Sequence, residues 1–512
     1  MPATTHPPVH GSTLILLTLG LSLATFMQVL DSSIANVSLP AISGDLAVSP
    51  NQGTWVITSF GVSNAIAMPL TGWLTRRVGD VRLFVASTVL FTLASWLCGL
   101  APSLPLLIAA RVLQGAVAGP MIPLSQSLLL SNYPPEKKGL ALALWGATVM
   151  IAPLLGPVLG GWITDNISWP WIFYINLPVG LLSAFLTWTL LGKRSSATRS
   201  EPIDTLGLVL LVVGVGALQI LLDKGNDLDW FESQTIIVLA VVAVVCLSVL
   251  VVWELTDPHP VVDLRLFAER NFLIGTLILS VGYLVYFGNF VILPLWLQVS
   301  MGYTATWAGL AAAAVGILSV ALTPLIGKLM HRIDLRIWST LSFGIFAAVS
   351  FWNSHFNTEV TFEQIVAPRL VMGLGVATFF VPLTALTLSA VPARLLPSAT
   401  GLSNFTRILA GSFGTSLSIT LWDRRETFHH SVLVSHVSAF DANSTEALQP
   451  LASPETDAVL LDQMINHQSV LLATNDVFWL SGCIFAALMV LVWLARPPAH
   501  GAAAVQLDGG AH

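Results

Sequence analysis

The stretch LDSSIANVSLP, residues 30–40, decides how the chain must be read. It closes an apolar run that begins near Thr13, and within that run stands an acid, Asp31. At the centre of a membrane helix an Asp costs about 2.5–3.5 kcal/mol on insertion scales. If the run crosses a bilayer, Asp31 is kept for a reason other than stability.

The rest of the chain favours a bilayer. The 512 residues are 55% hydrophobic and 9% charged, with a mean hydropathy of +0.80. A soluble chain carries about 25% charged residues, so this one cannot cover a water-facing surface, and its apolar content excludes disorder. Runs of spanning length lie at 13–37, 54–74, 83–101, 104–128, 139–163, 171–192, 203–222, 234–254, 272–297, 305–329, 336–353, 366–390, 398–422 and 476–495. These fourteen runs lack the alternation of barrel strands, so an all-α polytopic membrane protein is expected. The net charge of −6 comes without a basic run, and no nucleic-acid partner is expected. Cys98, Cys246 and Cys483 stand singly inside spans, so no disulfide framework is expected. The first span lacks a small-residue cleavage site and reads as a retained helix.

Lys and Arg set the orientation. With a cytoplasmic N-terminus, fifteen of the 21 fall on the inner side, three (Lys224, Arg424, Arg425) on the outer side and three (Arg111, Arg369, Arg407) within spans. Both termini are then cytoplasmic. One outer loop is long, 423–475; its VLLDQMINHQSVLL piece has the pattern of a short surface helix. His429 and His430 are adjacent, so they face different ways on a helix, and no metal site is expected there.

The chain also repeats itself. GWLTRRVGD from Gly72 is echoed by GKLMHRID from Gly327, Arg111 and Gly115 by Arg369 and Gly373, and Pro134 by Pro392. Span four thus maps onto span twelve. The expected organisation is a tail 1–12, a six-helix bundle 13–192, a linker 193–202, two extra helices 203–254, a linker 255–271, a second six-helix bundle 272–495 including the outer loop, and a tail 496–512. Two related bundles around a central site are the architecture of alternating-access carriers. The halves differ where Asp31 maps to Val285 and Tyr286, and where Gly156-Pro157 maps to Gly414-Thr415.

An ionisable residue inside a span is a functional-site hypothesis by default. Asp31 lies about six residues from the outer end of its span, and Arg111 about seven from the start of the fourth, so both sit about 10 Å deep. They meet if the helices are neighbours, and Asp31 is the candidate proton site with Arg111 as its partner. The bland alternative is a structural ion pair. Gly156, Pro157, Gly160 and Gly161 imply a kinked, closely packed helix. Arg111 with Gln114 and Gly115 has the same close-packing alternative. Gln28, Asn36, Asn64, Gln126 and Asn404, with Arg407, are candidates for a mostly apolar substrate cavity; each alone is more often a helix–helix hydrogen bond. Arg369, close to the outer surface, is expected to snorkel. Trp55, Trp169, Trp171, Trp230 and Trp479 sit near span ends, as interfacial anchors do.

Several of these stretches together resemble the major facilitator superfamily, in its branch of fourteen-span drug/proton antiporters. LDSSIANVSLP is similar to that branch's first-helix signature, GWLTRRVGDVRL to the loop after the second helix, RVLQGAVAG to the fourth-helix motif, GPVLGGWI to the antiporter motif of the fifth, and WPWIFYINLPVG to the fifth-to-sixth boundary. In the loop motif Gly72, Arg77 and Gly79 match, whereas Arg76 stands where an Asp is usual and Asp80 follows the second glycine. The resemblance implies proton-coupled export of hydrophobic or amphipathic compounds across a bacterial inner membrane, and a fifth-helix motif that keeps protons from leaking. It further implies a periplasmic adaptor (a membrane fusion protein) and an outer-membrane channel as partners, with the 423–475 loop as the candidate adaptor contact. No GxxxxGK[ST] loop, GxSxG elbow or HExxH is present, so ATP drive, enzymatic activity and a cofactor are not expected. An exporter of one physiological metabolite, or a membrane receptor or scaffold without flux, are the competing readings.

Overall fold

The computed structural model describes residues 11–436 and 454–497, apart from 49, 135, 136, 195–197, 199–203, 259 and 331. The expected tails fall largely outside the described residues, as do most of the 193–202 linker and the middle of the 423–475 loop.

Each expected span coincides with helix. The first half holds α1 (Ser12–Asp45), α2 (Trp55–Ala67), α3 (Thr71–Val78), α4 (Asp80–Gly99), α5 (Leu104–Ala118), α6 (Met121–Asn132), α7 (Lys138–Asn166) and α8 (Asn176–Leu191). Two intervening helices come next, α9 (Thr205–Lys224) and α10 (Gln234–Thr256). The second half holds α11 (Arg270–Val299), α12 (Ala305–Leu329), α13 (Leu335–Asn353), α14 (Phe362–Leu388), α15 (Leu396–His436) and α16 (Pro454–Leu491). No strand occurs among the described residues.

Eleven helical segments are long and apolar enough to cross a membrane, and a twelfth if the two arms of α7, Lys138–Pro153 and Val158–Asn166, are one span. Those arms meet at 43°, across the Gly156-Pro157 element. The other two expected spans fall short of that measure. α2 is 13 residues long and breaks before α3; α15 carries Asn404, Arg407 and many hydroxyl residues. The fourteen expected crossings are all helical, but eleven meet the length-and-apolarity measure, or twelve with the bent α7 taken as one span.

Helix pairing shows the internal repeat in three dimensions. α1 packs on α7 as α11 packs on α15; α2 on α5 as α12 on α14; α4 on α8 as α13 on α16. Small residues permit the close crossings, as they must where lipid offers no hydrophobic drive between helices. Gly156 abuts Ser33 of α1, and Gly160 lies against Ile34, where an added Cβ would stand 3.2 Å from its backbone oxygen. Gly161 faces open space. In the second half, Gly414 abuts the backbone of Leu284. A cluster of Phe343, Phe346, Phe379 and Phe485 fills the second bundle, with ring centroids 5.1–5.6 Å apart in its closer pairs.

The two halves meet at the basic end. There Arg76 donates to the Pro260 carbonyl at 3.2 Å and to Ser398 Oγ at 3.5 Å. Thr400 Oγ1 donates to the Pro123 carbonyl at 3.2 Å. Gly139 of α7 and Gly327 of α12 touch backbone to backbone; a Cβ on Gly327 would lie 2.7 Å from the Gly139 oxygen. Near the other end α9 straps the halves together. Asp223 accepts from Thr58 of α2, and the Leu222 carbonyl accepts from Ser416 of α15 at 2.6 Å. α10 packs on α9 and leaves most of its apolar surface outward, towards lipid.

Two local expectations change. Trp169 is buried and donates to Asp45 at 2.7 Å, so it locks the end of α1 rather than anchoring at an interface. The polar stretch after residue 422 is helical at both described ends: α15 runs on to His436, tied to α16 by Arg425 and His429 on Asp476 at 2.6 and 2.7 Å. A row of intrahelical hydrogen bonds continues cheaply past the apolar segment once two neighbouring helices support each other.

The Gly139–Gly327 contact makes a testable demand. Gly327→Leu should hold the halves apart at the basic end. Spin labels on Arg82→Cys and Arg332→Cys should then report a longer mean separation than in the unsubstituted background; an unchanged distance would show that this contact does not limit closure.

Candidate functional site

Asp31 lies on α1, in the interior of the first bundle, and is 1% exposed. Its Oδ2 accepts from Arg111 Nη1 at 2.5 Å. Its Oδ1 accepts from Gln114 Nε2 at 3.1 Å and from Asn176 Nδ2 at 2.8 Å. Among the described residues three donors and no acceptor face the carboxyl, which is the partner set of the ionised form. Ser95 of α4 closes the ring: its Oγ receives Gln114 Nε2 at 2.6 Å and Asn176 Nδ2 at 3.0 Å. Helices α1, α4, α5 and α8 therefore meet in one hydrogen-bond network around a carboxylate.

Arg111 is held through Nε and Nη1, while its Nη2 is buried without a hydrogen-bond partner among the described residues. Nε donates to the Val56 carbonyl at 3.0 Å, Nη1 also donates to Gln114 Oε1 at 2.7 Å, and the guanidinium lies 4.2 Å from the Phe60 ring centre and 5.6 Å from that of Phe173. The ring faces favour the cation where water is absent. Gly115, one position beyond Gln114, abuts Phe60 and Ser63 and lets α5 lie against α2. The spacing of Arg111 and Gln114, three apart, puts both on one helix face towards Asp31.

The other candidates separate into groups. Gln126, Asn404 and Arg407 come together between the halves: Asn404 Nδ2 donates to Gln126 Oε1 at 2.9 Å and Arg407 Nη2 to Asn404 Oδ1 at 2.7 Å. Arg407 stacks 4.9 Å from Tyr283 and 5.8 Å from Phe380. With Trp145, Leu279 and Phe380 they line a small recess between the bundles. Gln28 and Asn64 pair with each other at 3.3 Å, joining α1 to α2 away from that recess. Asn36 is exposed and, among the described residues, bonds only to the Ser32 carbonyl of its own helix, at 3.1 Å. Six cavity candidates therefore give one cluster of three. In the loop motif, Gly79 has φ +91°, a conformation glycine alone adopts readily, and turns the chain between α3 and α4. Asp80 Oδ1 accepts from the Val81 N–H at 2.7 Å at the start of α4, and Arg77 lies 5.5 Å from the Trp73 ring.

Sequence reading missed Asn176, Ser95 and Cys98, whose thiol is 3.5 Å from Gln114 Oε1. Asn176 stands inside the quoted WPWIFYINLPVG, so a signal was present. Ser95 and Cys98 had none, because small polar residues are common in spans. Arg369 is a correction: it is 5% exposed, so its guanidinium does not snorkel to a surface.

The family model described as Major Facilitator Superfamily matches residues 21–415. Multidrug export protein EmrB of Haemophilus influenzae is 54% identical over 502 residues, spanning 97% of this chain and 98% of that protein. Fatty acid resistance protein FarB of Neisseria gonorrhoeae is 48% identical over 511 residues, spanning 99% and 100%. Among solved structures, the proton:xylose symporter XylE superposes with a TM-score of 0.59 at 15% identity, covering 94% of this chain and 95% of that one. At that identity the likeness is one of fold.

Removing one donor from a buried carboxylate leaves part of its charge unsatisfied, at about 1–3 kcal/mol. Asn176→Ala should therefore lower the unfolding midpoint of the detergent-purified protein clearly, and Asn36→Ala should not. Equal midpoints for the two variants would remove Asn176 from the network that holds Asp31.

Proposed function

The chain belongs to the major facilitator superfamily of transporters, and on that footing we propose that it is a proton-coupled exporter of hydrophobic and amphipathic compounds. The buried Asp31–Arg111 pair is the observation that carries this reading. Relatives about half identical over nearly the whole chain are named multidrug export proteins, which supports several cargoes rather than one metabolite.

The chemistry stems from the pair. Breaking a buried ion pair by removing one charge costs about 3–5 kcal/mol. A proton on Asp31 Oδ2 cancels the negative charge and gives the carboxyl a donor of its own. The Arg111 Nη1 contact to Asp31 is then lost, and the guanidinium is left to the Val56 carbonyl, Gln114 Oε1 and the Phe60 face. Protonation thus weakens the tie between α1 and α5 and favours another arrangement of the bundle. Deprotonation restores the tie. If Asp31 loads its proton from the outer side and releases it inwards, each cycle couples one inward proton to one rearrangement of the halves.

Cargo is placed between the halves, at the recess of Gln126, Asn404 and Arg407. Closure at the basic end, which the Lys and Arg distribution assigns to the cytoplasm, corresponds to a state shut on the inside. The bend of α7 at Gly156-Pro157, packed on α1 close to Asp31, is suited to relay changes at Asp31 to α12, which α7 also contacts. A periplasmic adaptor and an outer-membrane channel complete the export path in this reading, with the helical extensions of α15 and α16 as the contact surface for the adaptor.

The test uses purified protein in liposomes with an internal pH dye and an imposed proton gradient. Adding a lipophilic drug should move protons with the wild type, and the movement should fall to the protein-free level with Asp31→Asn. Undiminished coupling in that variant would make Asp31 a structural partner of Arg111 only.

A further inference from the structure

Three arginines are buried within the helices of the two bundles, and they are not equally provided for. Arg111 has Asp31. Arg407 has the Asn404 amide and two ring faces. Arg369, on α14, has among the described residues only a 3.5 Å contact from Nη1 to Met372 Sδ and a distant face, Phe478, at 6.0 Å. Its Nε and Nη2 are buried without a protein partner. An unpaired cation away from water is among the most costly groups a protein can hold.

The internal repeat says what is missing. Arg369 occupies the position of Arg111, and the position of Asp31 falls at Val285 and Tyr286. The second bundle has kept the cation and not the acid. In the acid's place is a recess lined by Tyr286, Phe290, Ala312, Val315, Arg369 and Met372. Tyr286 and Phe290 are half-buried, so part of each ring reaches open space. The free volume of the recess is about 10 Å³, room for about one water-sized group. A whole hydrophobic molecule does not fit there. The tip of one does, if its body lies along the Tyr286 and Phe290 rings.

We infer that the Arg369 recess is an anion-binding subsite that receives the carboxylate head of a hydrophobic cargo. The carboxylate replaces, from the ligand, the acid that the first bundle supplies from its own chain. A carboxylate oxygen accepts a charge-assisted hydrogen bond from the guanidinium, and the largely apolar lining takes the adjacent carbon skeleton. The subsite is separate from the Asp31 network and from the Arg407 recess. It rests on the export reading, because it gives that exporter a class of cargo, hydrophobic organic acids.

Equilibrium binding to the full-length protein in nanodiscs, without a proton gradient, tests it. The probes are 1-naphthoate and its uncharged methyl ester. Wild type should prefer the acid to the ester, and Arg369→Gln should reduce that preference about tenfold or more. Arg369→Lys should restore part of it. Ala312→Leu, which fills the recess and leaves the charge in place, should weaken naphthoate binding as well. A preference unchanged in Arg369→Gln and in Ala312→Leu would overturn the inference. So would full displacement of naphthoate when chloride replaces gluconate in the buffer, which would make the occupant a halide. Loss of naphthoate binding in anionic-lipid nanodiscs but not in zwitterionic ones would also overturn it, by assigning the subsite to a lipid headgroup. Because no gradient is applied, failure here leaves drug-driven proton movement as a separate question. If proton movement fails while naphthoate still binds through Arg369, the fault lies in the coupling and not in the subsite.

Discussion

A charge in hydrocarbon without a partner is costly, and much of this molecule is arranged around that constraint. Asp31 and Arg111 would each be costly alone. Together they neutralise one another; Gln114, Asn176 and a backbone carbonyl take up further lone pairs and N–H groups, and Arg111 Nη2 stays buried without a hydrogen-bond partner among the described residues. The consequence is geometric as well as energetic. Helices α1, α4, α5 and α8 cannot shift independently, because each contributes an atom to the same ring of hydrogen bonds. A group that joins four helices and changes charge with one proton is well placed to couple protonation to packing.

The second bundle is the same scaffold without the acid. Its helices pair as those of the first bundle do, and its core is filled by phenylalanines rather than by a polar network. Arg369 remains without a carboxylate, and Arg407 is supported by ring faces and an amide. Duplication therefore preserved the shape, which depends on small residues at helix crossings. It did not preserve the chemistry, which depends on single polar residues.

Contact between the bundles depends on close backbone approach at one end and on α9 at the other. Gly139 and Gly327 bring α7 and α12 together with nothing between them, and such a surface can part and re-form without rearranging large side chains. Arg76 adds hydrogen bonds to a backbone carbonyl and a hydroxyl across the same seam. That is a different use of the loop motif from the one its usual acid would permit. The two ends thus hold the halves by different means, bare backbone at the basic end and a strapping helix at the other.

Much of this was legible in the residues themselves. Span length, the scarcity of charge, the placement of Lys and Arg and the repeat are properties of local composition and order, so they survive without coordinates. The depth argument brought Asp31 and Arg111 to the same level because rise per residue is fixed in a helix. Asn176 and Ser95 were not legible, because an Asn or Ser in a span has many bonding options and only the meeting of four helices selects one. Asn36 and Gln126 looked alike in sequence; one faces outward and the other joins the seam. Arg369 looked like a surface residue by its distance from a span end, and the neighbouring helices buried it. The sequence by itself determined that this chain is a membrane-spanning helical protein with one deep acid and a duplicated plan, since hydropathy and periodicity act along the chain. Tertiary structure alone decided which polar groups share a site, because hydrogen bonds between helices depend on crossing angle and rotation, and these are set by packing.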